Sequence, residues 1–392
     1  MSRLLKHAPE EFKGLGPSIL ASQARGRLAR HAIPAERVDA RAMLHDQCPI
    51  SPGVYAWLDS NQQICYVGKS KSLRARLLTY FARNPSDEKT DRIRRHSLQL
   101  VWEPISDELL ALIREQELIH RWRPDFNTQG QPTRRQPAFV CVTKGIAPHV
   151  QFARTVPRAA TSTFGPIAGT SQLRIAIESL NTVFRLRDCP DNTKFEFNDQ
   201  QFLFANPSTA KCIRYELKTC TAPCAGMCSR WSYQQQVNQA NRFLEGQDKE
   251  TIPLLQSEMS RAAVECRFER AAALRDHLAN LKWLERRLNS IRSAQRLING
   301  ILPINGRNRR KIWLILQGGK VIGSVPEPIR PERTFTAIES FSRAAATPFH
   351  LPENILDMHL QLLIISWFRK FPQIKRNLIS FEEAISRCKR AA

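Results

Sequence analysis

Two short stretches of the 392-residue chain hold side chains whose types and spacing suit work on a phosphate. In the first, Lys69 directly follows Gly68, and Arg76, Tyr80 and Arg83 recur behind it at i, i+4 and i+7, on one stripe of a helix. A Gly-Lys turn feeding a helix N-terminus, with basic and aromatic side chains behind it, is a phosphate-binding arrangement. A merely solvated basic face shows the same pattern. In the second stretch, Glu115 has Ala111 and Leu112 one turn before it and Leu118 and Ile119 one turn after. A carboxylate among such neighbours must be paired, protonated or metal-bound, because burying it ionised and alone is costly. Beside a phosphate site, a divalent cation bridging Glu115 to a phosphate oxygen meets that requirement; a salt bridge to an arginine is the alternative. Glu117 has Ile113, Arg114, His120 and Arg121 at the same offsets and reads as an ordinary surface charge.

The elements that must position these groups follow from patterning. Gly53 to Leu58 reads as a strand, Asp59 to Gln63 as a turn and Ile64 to Val67 as the hairpin partner. Ser70 or Ser72 caps a helix reaching about Arg83, with Leu73, Leu77 and Phe81 as its core face. A second helix runs from about Asp107 to Trp122, capped by Ser106 and closed by Pro124. By themselves Tyr55 and Tyr66 are strand aromatics of a half-buried hairpin. Ahead of the hairpin lies a basic leader, residues 1–46, with a candidate helix at Pro34 to Leu44. Beyond it, Ala138 to Thr143 and Val150 to Ala153 read as strands and Ser171 to Phe184 as a helix. Residues 236–292 read as a helical hairpin broken near Glu265 to Phe268. Strand-like Lys311 to Leu316 and Val321 to Val325 flank Gly318-Gly319. The fold class expected is α+β and multidomain.

The order Gly53-Val-Tyr55, Tyr66-Val-Gly68-Lys69, Arg76, Tyr80, then Glu115 and Asn127 twelve residues apart, resembles the GIY-YIG nuclease motif, most closely the nuclease module of the UvrC family. The resemblance implies hydrolysis of a phosphodiester with one metal, Mg²⁺ or Mn²⁺, held by Glu115. Tyr55 or Tyr66 would deprotonate or orient the attacking water, helped by Lys69; Arg76 would neutralise the scissile phosphate; Tyr80 and Asn127 would hold the geometry.

Cys189, Cys212, Cys220, Cys224 and Cys228 fall within 40 residues. Such clustering points to metal, and four thiolates suit zinc and an iron–sulfur cluster equally. Cys220-Thr-Ala-Pro-Cys224 also resembles UvrC, which implies a [4Fe–4S] cluster on Cys189, Cys212, Cys220 and Cys224, with Cys228 a bystander. Cys48, Cys65, Cys141, Cys266 and Cys388 read as ordinary buried thiols. Phe268 to Asp276 resembles the UVR motif, the hairpin through which UvrC meets UvrB. Phe268, Ala271 and Leu274 would be the contact positions, and Arg275 and Asp276 would set register by charge pairing.

The domains expected are therefore the leader, a nuclease domain at 47–131, a cysteine-bearing mixed region at 132–235, the hairpin at 236–292 and a mixed segment at 293–392 of unassigned role. The resemblance covers roughly residues 50 to 292. Full-length UvrC continues into an RNase H-like nuclease and a helix-hairpin-helix module, and neither is legible here. A nick on the 3′ side of a lesion alone is implied, as in short Cho-type homologues, after recruitment by UvrB in a UvrA/UvrB-dependent pathway. A stand-alone nuclease on branched or mobile DNA and a non-catalytic UvrB- and DNA-binding adaptor are the other two readings.

Composition agrees with a nucleic-acid partner. The 59 Lys and Arg against 36 Asp and Glu give +23, in a chain with 42% hydrophobic residues. That balance describes folded domains with an anionic partner, a phosphate backbone or a membrane surface, and excludes a disordered tail. Met1 to Lys13 is polar, so no export signal is expected; His359, Gln361 and Arg369 interrupt the apolar stretch Ile355 to Phe371, so neither is a membrane span. A bacterial cytoplasmic, nucleoid-associated location and reduced cysteines follow as expectations.

Overall fold

The computed structural model describes residues 12–82, 88–127, 136–190, 192–199, 212–307, 310–328, 331–346 and 350–391. The chain divides into two compact units: residues up to 135 together with those from 295 onward, and residues 136–294.

The first unit begins with β1 (Ala29–Ala32), α1 (Arg37–Gln47), β2 (Gly53–Leu58), β3 (Ile64–Ser70), α2 (Leu73–Thr79), α3 (Glu88–His96), β4 (Gln99–Pro104) and α4 (Glu108–Trp122). The strands form an antiparallel sheet in the order β1-β4-β2-β3. Alternation along β2 sends Tyr55 and Trp57 to one face, with Leu73, Leu77, Tyr80 and Phe81. Val54, Ala56 and Leu58 go to the other, with Val67, Leu118 and Ile119. The hairpin is thus covered on both faces, and every β2 residue is buried. The Asp59 carboxylate accepts from the Asn61 and Gln63 N–H groups at 2.8 and 2.9 Å and closes the expected turn.

The stretch read as a leader contributes structure from residue 12 onward. Phe12 and Leu15 enter the core, and β1 pairs with β4. The cap of α4 is Asp107 rather than Ser106: its carboxylate accepts from Leu109 N at 2.7 Å, the reach of the residue immediately before the first helical turn. Arg123, in the left-handed region, ends the helix ahead of Pro124.

The second unit holds β5 (Ala138–Thr143), β6 (Val150–Ala153) and β7 (Ala160–Ile167) in the order β6-β5-β7, then α5 (Thr170–Val183), α6 (Ile213–Glu216), α7 (Arg230–Glu245), α8 (Thr251–Val264) and α9 (Phe268–Leu297). The break between α8 and α9 falls where expected, with Cys266 at φ +56°. From Leu278 onward the apolar stripe of α9 is buried within its own chain, and Asn280 ties it to Ser179 and Gln172 of α5 at 2.9 Å. The tip of the hairpin stays open, with Val264 and Phe268 84% and 67% exposed, and Leu254 at the start of α8 is exposed as well.

The chain then returns to the first unit with β8 (Gly300–Asn305), β9 (Lys311–Gln317), β10 (Lys320–Pro326), α10 (Pro331–Ala346), α11 (Ile355–Lys370) and α12 (Phe381–Ala391). The β9–β10 hairpin turns on Gly318 and Gly319, both at positive φ, the geometry of the tight turn that suits strand twist. The apolar stretch from Ile355 is explained by α11, which packs against α4 and β10. Among the described residues no helix is long and apolar enough to cross a membrane.

Candidate active site

The β2–β3 register sets Tyr55 opposite Gly68 and Trp57 opposite Tyr66. Tyr55 is 1% exposed. Its hydroxyl lies 3.1 Å from the Tyr80 hydroxyl and accepts from Arg76 Nε at 3.1 Å. The Arg76 guanidinium also sits 5.2 Å from the centre of the Tyr80 ring. A Cβ at Gly68 would lie 2.5 Å from Tyr55 Oη, so glycine is what lets the phenol cross β3. Asn127 closes the free edge of β3. Its Oδ1 accepts from Val67 N at 2.8 Å and its Nδ2 donates to Val67 O at 2.7 Å, as a neighbouring strand would.

Several placements differ from the sequence reading. Gly68 and Lys69 lie in β3 rather than in a turn. The N-terminus of α2 is closed to an anion because the Leu73 and Arg74 N–H groups donate to Ser51 O and Pro49 O at 2.9 and 3.2 Å. Lys69 instead pairs with Glu108 at 3.1 Å, and Lys71 joins the same carboxylate at 3.0 Å. Tyr80 is buried, not on a solvated stripe, because α2 ends at Thr79; Arg83 lies outside the described residues. Glu117 is buried as well. It forms an ion pair with Arg114 at 3.0 Å and accepts from Ser18 Oγ and Ile19 N at 2.5 and 2.7 Å. Arg114 further reaches Glu103 at 2.9 Å and the Gly16 and Pro17 carbonyls.

Glu115 faces the other way and keeps partial exposure. Among the described residues no cationic side chain comes within 4 Å of its carboxylate, so the arginine salt bridge is not formed. Burial pushes its pKa up to about 7, against the pull of the Lys69 charge and the Lys69 backbone N–H. Tyr66, partly exposed, is held protonated by burial, then by the charges of Tyr55 and Glu115, with Arg76 opposing. Burial likewise holds the Tyr80 proton. Sequence reasoning missed Glu108, which tethers both lysines, and Lys89 of α3, whose ammonium is 5.3 Å from the centre of the Tyr66 ring. The only local signal for Glu108 is its place seven residues before Glu115, on one helix face. A partly buried carboxylate without a cationic partner is a fitting donor for a single divalent cation.

In the second unit, Cys220 is buried and its pKa is raised to about 11 by burial and then by the fields of Cys212, Cys224 and Cys189. Cys228 stands apart, near Thr221 and Asp199. Although those four sulfurs share one neighbourhood, among the described residues no three His, Cys, Asp or Glu are arranged to hold a metal ion. Cys48, Cys65, Cys141 and Cys388 are buried thiols, but Cys266 is exposed because it occupies the α8–α9 turn. Arg275 and Asp276 are exposed and pair with each other at 2.9 Å.

Residues 51–128 match the family model of the UvrC-like GIY-YIG domain, and residues 138–243 that of the UvrC/Cho excinuclease middle domain. The UvrABC system protein C of Alcanivorax borkumensis is 33% identical over 62% of this chain and 38% of its own length. That of Methanothermobacter thermautotrophicus is 28% identical over 80% of this chain and 52% of its own. The chain thus spans about two fifths to one half of these curated relatives. The magnesium-bound GIY-YIG N-terminal endonuclease domain of UvrC from Thermotoga maritima is 34% identical, covering 22% of this chain and 94% of that one, with a TM-score of 0.21. From residue 51 to 243 the chain is therefore of the UvrC/Cho type, a UvrC-like GIY-YIG domain followed by the excinuclease middle domain.

Proposed function

We propose that the chain is a metal-dependent DNA endonuclease of nucleotide excision repair, acting at the nucleoid and nicking one strand on the 3′ side of a lesion after UvrB recruits it. The observation that carries this reading is the pairing of the Tyr55–Arg76–Tyr80 network with a Glu115 carboxylate that has no cationic side chain within 4 Å among the described residues. A divalent cation on Glu115 would supply positive charge at the leaving 3′ oxygen. The protein's own groups do the rest. Tyr66, the tyrosine with an open side, holds the attacking water, while Tyr55 is fully buried and positions Arg76. Arg76 meets the charge that develops on the phosphate. Lys69 adds a second cation beside Glu115, its ammonium steadied by Glu108. Asn127 keeps β3, and with it Tyr66 and Gly68, in register.

Recruitment rests on the open hairpin tip. Phe268 and Val264 are large apolar side chains left uncovered, next to the exposed Arg275 and Asp276. The four-cysteine neighbourhood carries no part of this proposal.

The test is a lesion-bearing duplex labelled at each 5′ end in turn, with UvrA, UvrB, ATP and Mg²⁺, comparing wild type with Glu115→Gln. A single nick 3′ to the lesion, lost in the variant, in EDTA and without UvrB, is expected. Cutting of undamaged or branched DNA without UvrB would favour the stand-alone nuclease. UvrB binding with no nick from either protein would leave the adaptor.

A further inference from the structure

A cavity of about 530 Å³ lies between the N-terminus of α4 and the carboxy-terminal part of the first unit, and the catalytic reading makes no use of it. Asp107 lines one side; Asn305, Lys311, Trp367, Arg376 and Arg387 line the other. Its volume is in the range of a site for a nucleotide-sized ligand.

The chemistry of the wall is that of an anion site. Residues 295–392 carry sixteen Lys and Arg against seven Asp and Glu. Lys311 and Arg376 are exposed, and among the described residues neither has a carboxylate within ion-pair distance, whereas Arg387 is held by Glu383 at 2.6 Å. The one carboxylate on the wall is already engaged, since Asp107 caps α4 through Leu109 N, and burial raises its pKa.

Position names the class of anion. The α4 residues on the wall, Asp107 and Leu109, stand eight and six residues before Glu115, about 9–12 Å along the axis and a quarter to a third of a turn round it. That distance matches roughly three nucleotides of duplex rise. We propose that the cavity is a subsite for the sugar-phosphate backbone of the DNA strand, about three nucleotides from the phosphate facing Glu115. The assignment of the strand rests on the nuclease reading; the anion chemistry of the cavity does not.

The experiment uses the full chain in EDTA, so that binding is read without cutting. Anisotropy of a fluorescein-labelled duplex is titrated at several salt concentrations for wild type, the double variant Lys311→Ala/Arg376→Ala, and a control with the same charge loss, Lys249→Ala/Arg261→Ala. The cavity double variant is expected to bind about tenfold more weakly and to lower the slope of log K against log salt by about 2, one for each phosphate contact removed. The control keeps the wild-type slope. If the double variant does not reach the wild-type thermal midpoint, the single changes Lys311→Gln and Arg376→Gln are each expected to lower the slope by about 1. An unchanged slope overturns the subsite, as does a wild type that binds no duplex. Displacement of the duplex by a deoxynucleoside monophosphate at matched ionic strength overturns the strand in favour of a small ligand. A chain that binds DNA through the cavity yet never nicks refutes the catalytic reading and leaves the subsite standing.

Discussion

Replacing Glu115 by Gln should stabilise the protein, and only above the pH at which Glu115 would ionise in an unfolded chain. Burial lifts this carboxyl from 4.5 to about 7. Below pH 4.5 it is neutral in both states, and the variant gains nothing. Between 4.5 and about 7 the unfolded chain ionises while the folded one resists, so wild-type stability falls as pH rises and levels off above about 7. At roughly 1.4 kcal/mol per pKa unit, and allowing for the solvent contact that Glu115 keeps, the loss is about 2–3 kcal/mol. Glutamine has nearly the same shape and does not titrate. Thermal melts in EDTA from pH 5 to pH 8 should show the variant drawing ahead by about 5–10 °C at the upper end, at roughly 2–4 °C per kcal/mol for a unit of this size. Adding Mg²⁺ at pH 8 should raise the wild-type midpoint by mass action and leave the variant where it was. A gap that does not change with pH, a variant less stable at pH 8, or equal Mg²⁺ stabilisation of both proteins would refute the reasoning.

Three further substitutions probe the supports of the site. Gly68→Ala places a Cβ 2.5 Å from Tyr55 Oη, so the phenol must move; nicking should fall about a hundredfold, with a stability cost of about 1–3 kcal/mol in urea titrations. Near-wild-type nicking would show that the Tyr55 position is not critical. Asn127→Ala strips both hydrogen bonds from Val67 at the buried edge of β3 and should cost about 2–4 kcal/mol by the same titration, a loss below 1 kcal/mol arguing against the edge-clamp role. Phe268→Ser should leave the melting temperature unchanged, since the side chain is 67% exposed, and weaken UvrB binding by about 2 kcal/mol in calorimetry. Equal UvrB affinity would remove the hairpin tip from the interface.

What the sequence made legible was whatever local spacing decides. The hairpin with its Asp59 turn, the Leu73/Leu77 face of α2, the α8–α9 break and the Gly318-Gly319 turn all lie where patterning puts them, although α2 stops at Thr79 and Phe81 is buried beyond its end. What escaped was decided by distant partners. The four residues of β1, Ala-Arg-His-Ala, have no strand-like alternation of apolar side chains and become a strand because β4 offers an edge. Gly68-Lys69 reads as a turn because glycine usually marks one, yet here glycine serves a crossing tyrosine inside a strand. Nothing in the hairpin's own spacing names the element that covers its stripe; α5 is tied to it through residues about a hundred apart in sequence.

The contrast between Glu115 and Glu117 is the strongest argument that the site is built for an external cation. The two stand two residues apart on α4, so their side chains leave the helix in nearly opposite directions. By neighbour type Glu115 was the one expected to be buried and Glu117 the one expected in solvent. In the structure Glu117 is buried and fully answered: Arg114 supplies its charge, Ser18 and Ile19 its hydrogen bonds, and Glu103 and two carbonyls of the amino-terminal segment take three more guanidinium donors. The fold thus neutralises a buried carboxylate where the group only has to hold the segment down. On the opposite side of the helix it leaves Glu115 with a backbone N–H and the field of Lys69, whose ammonium is drawn to Glu108 instead. A protein with 59 cationic side chains has no shortage of charge to place there. An arginine in that position would relieve the burial cost and occupy the place a phosphate-bridging cation needs, and on that ground the proposed cation site is put at Glu115.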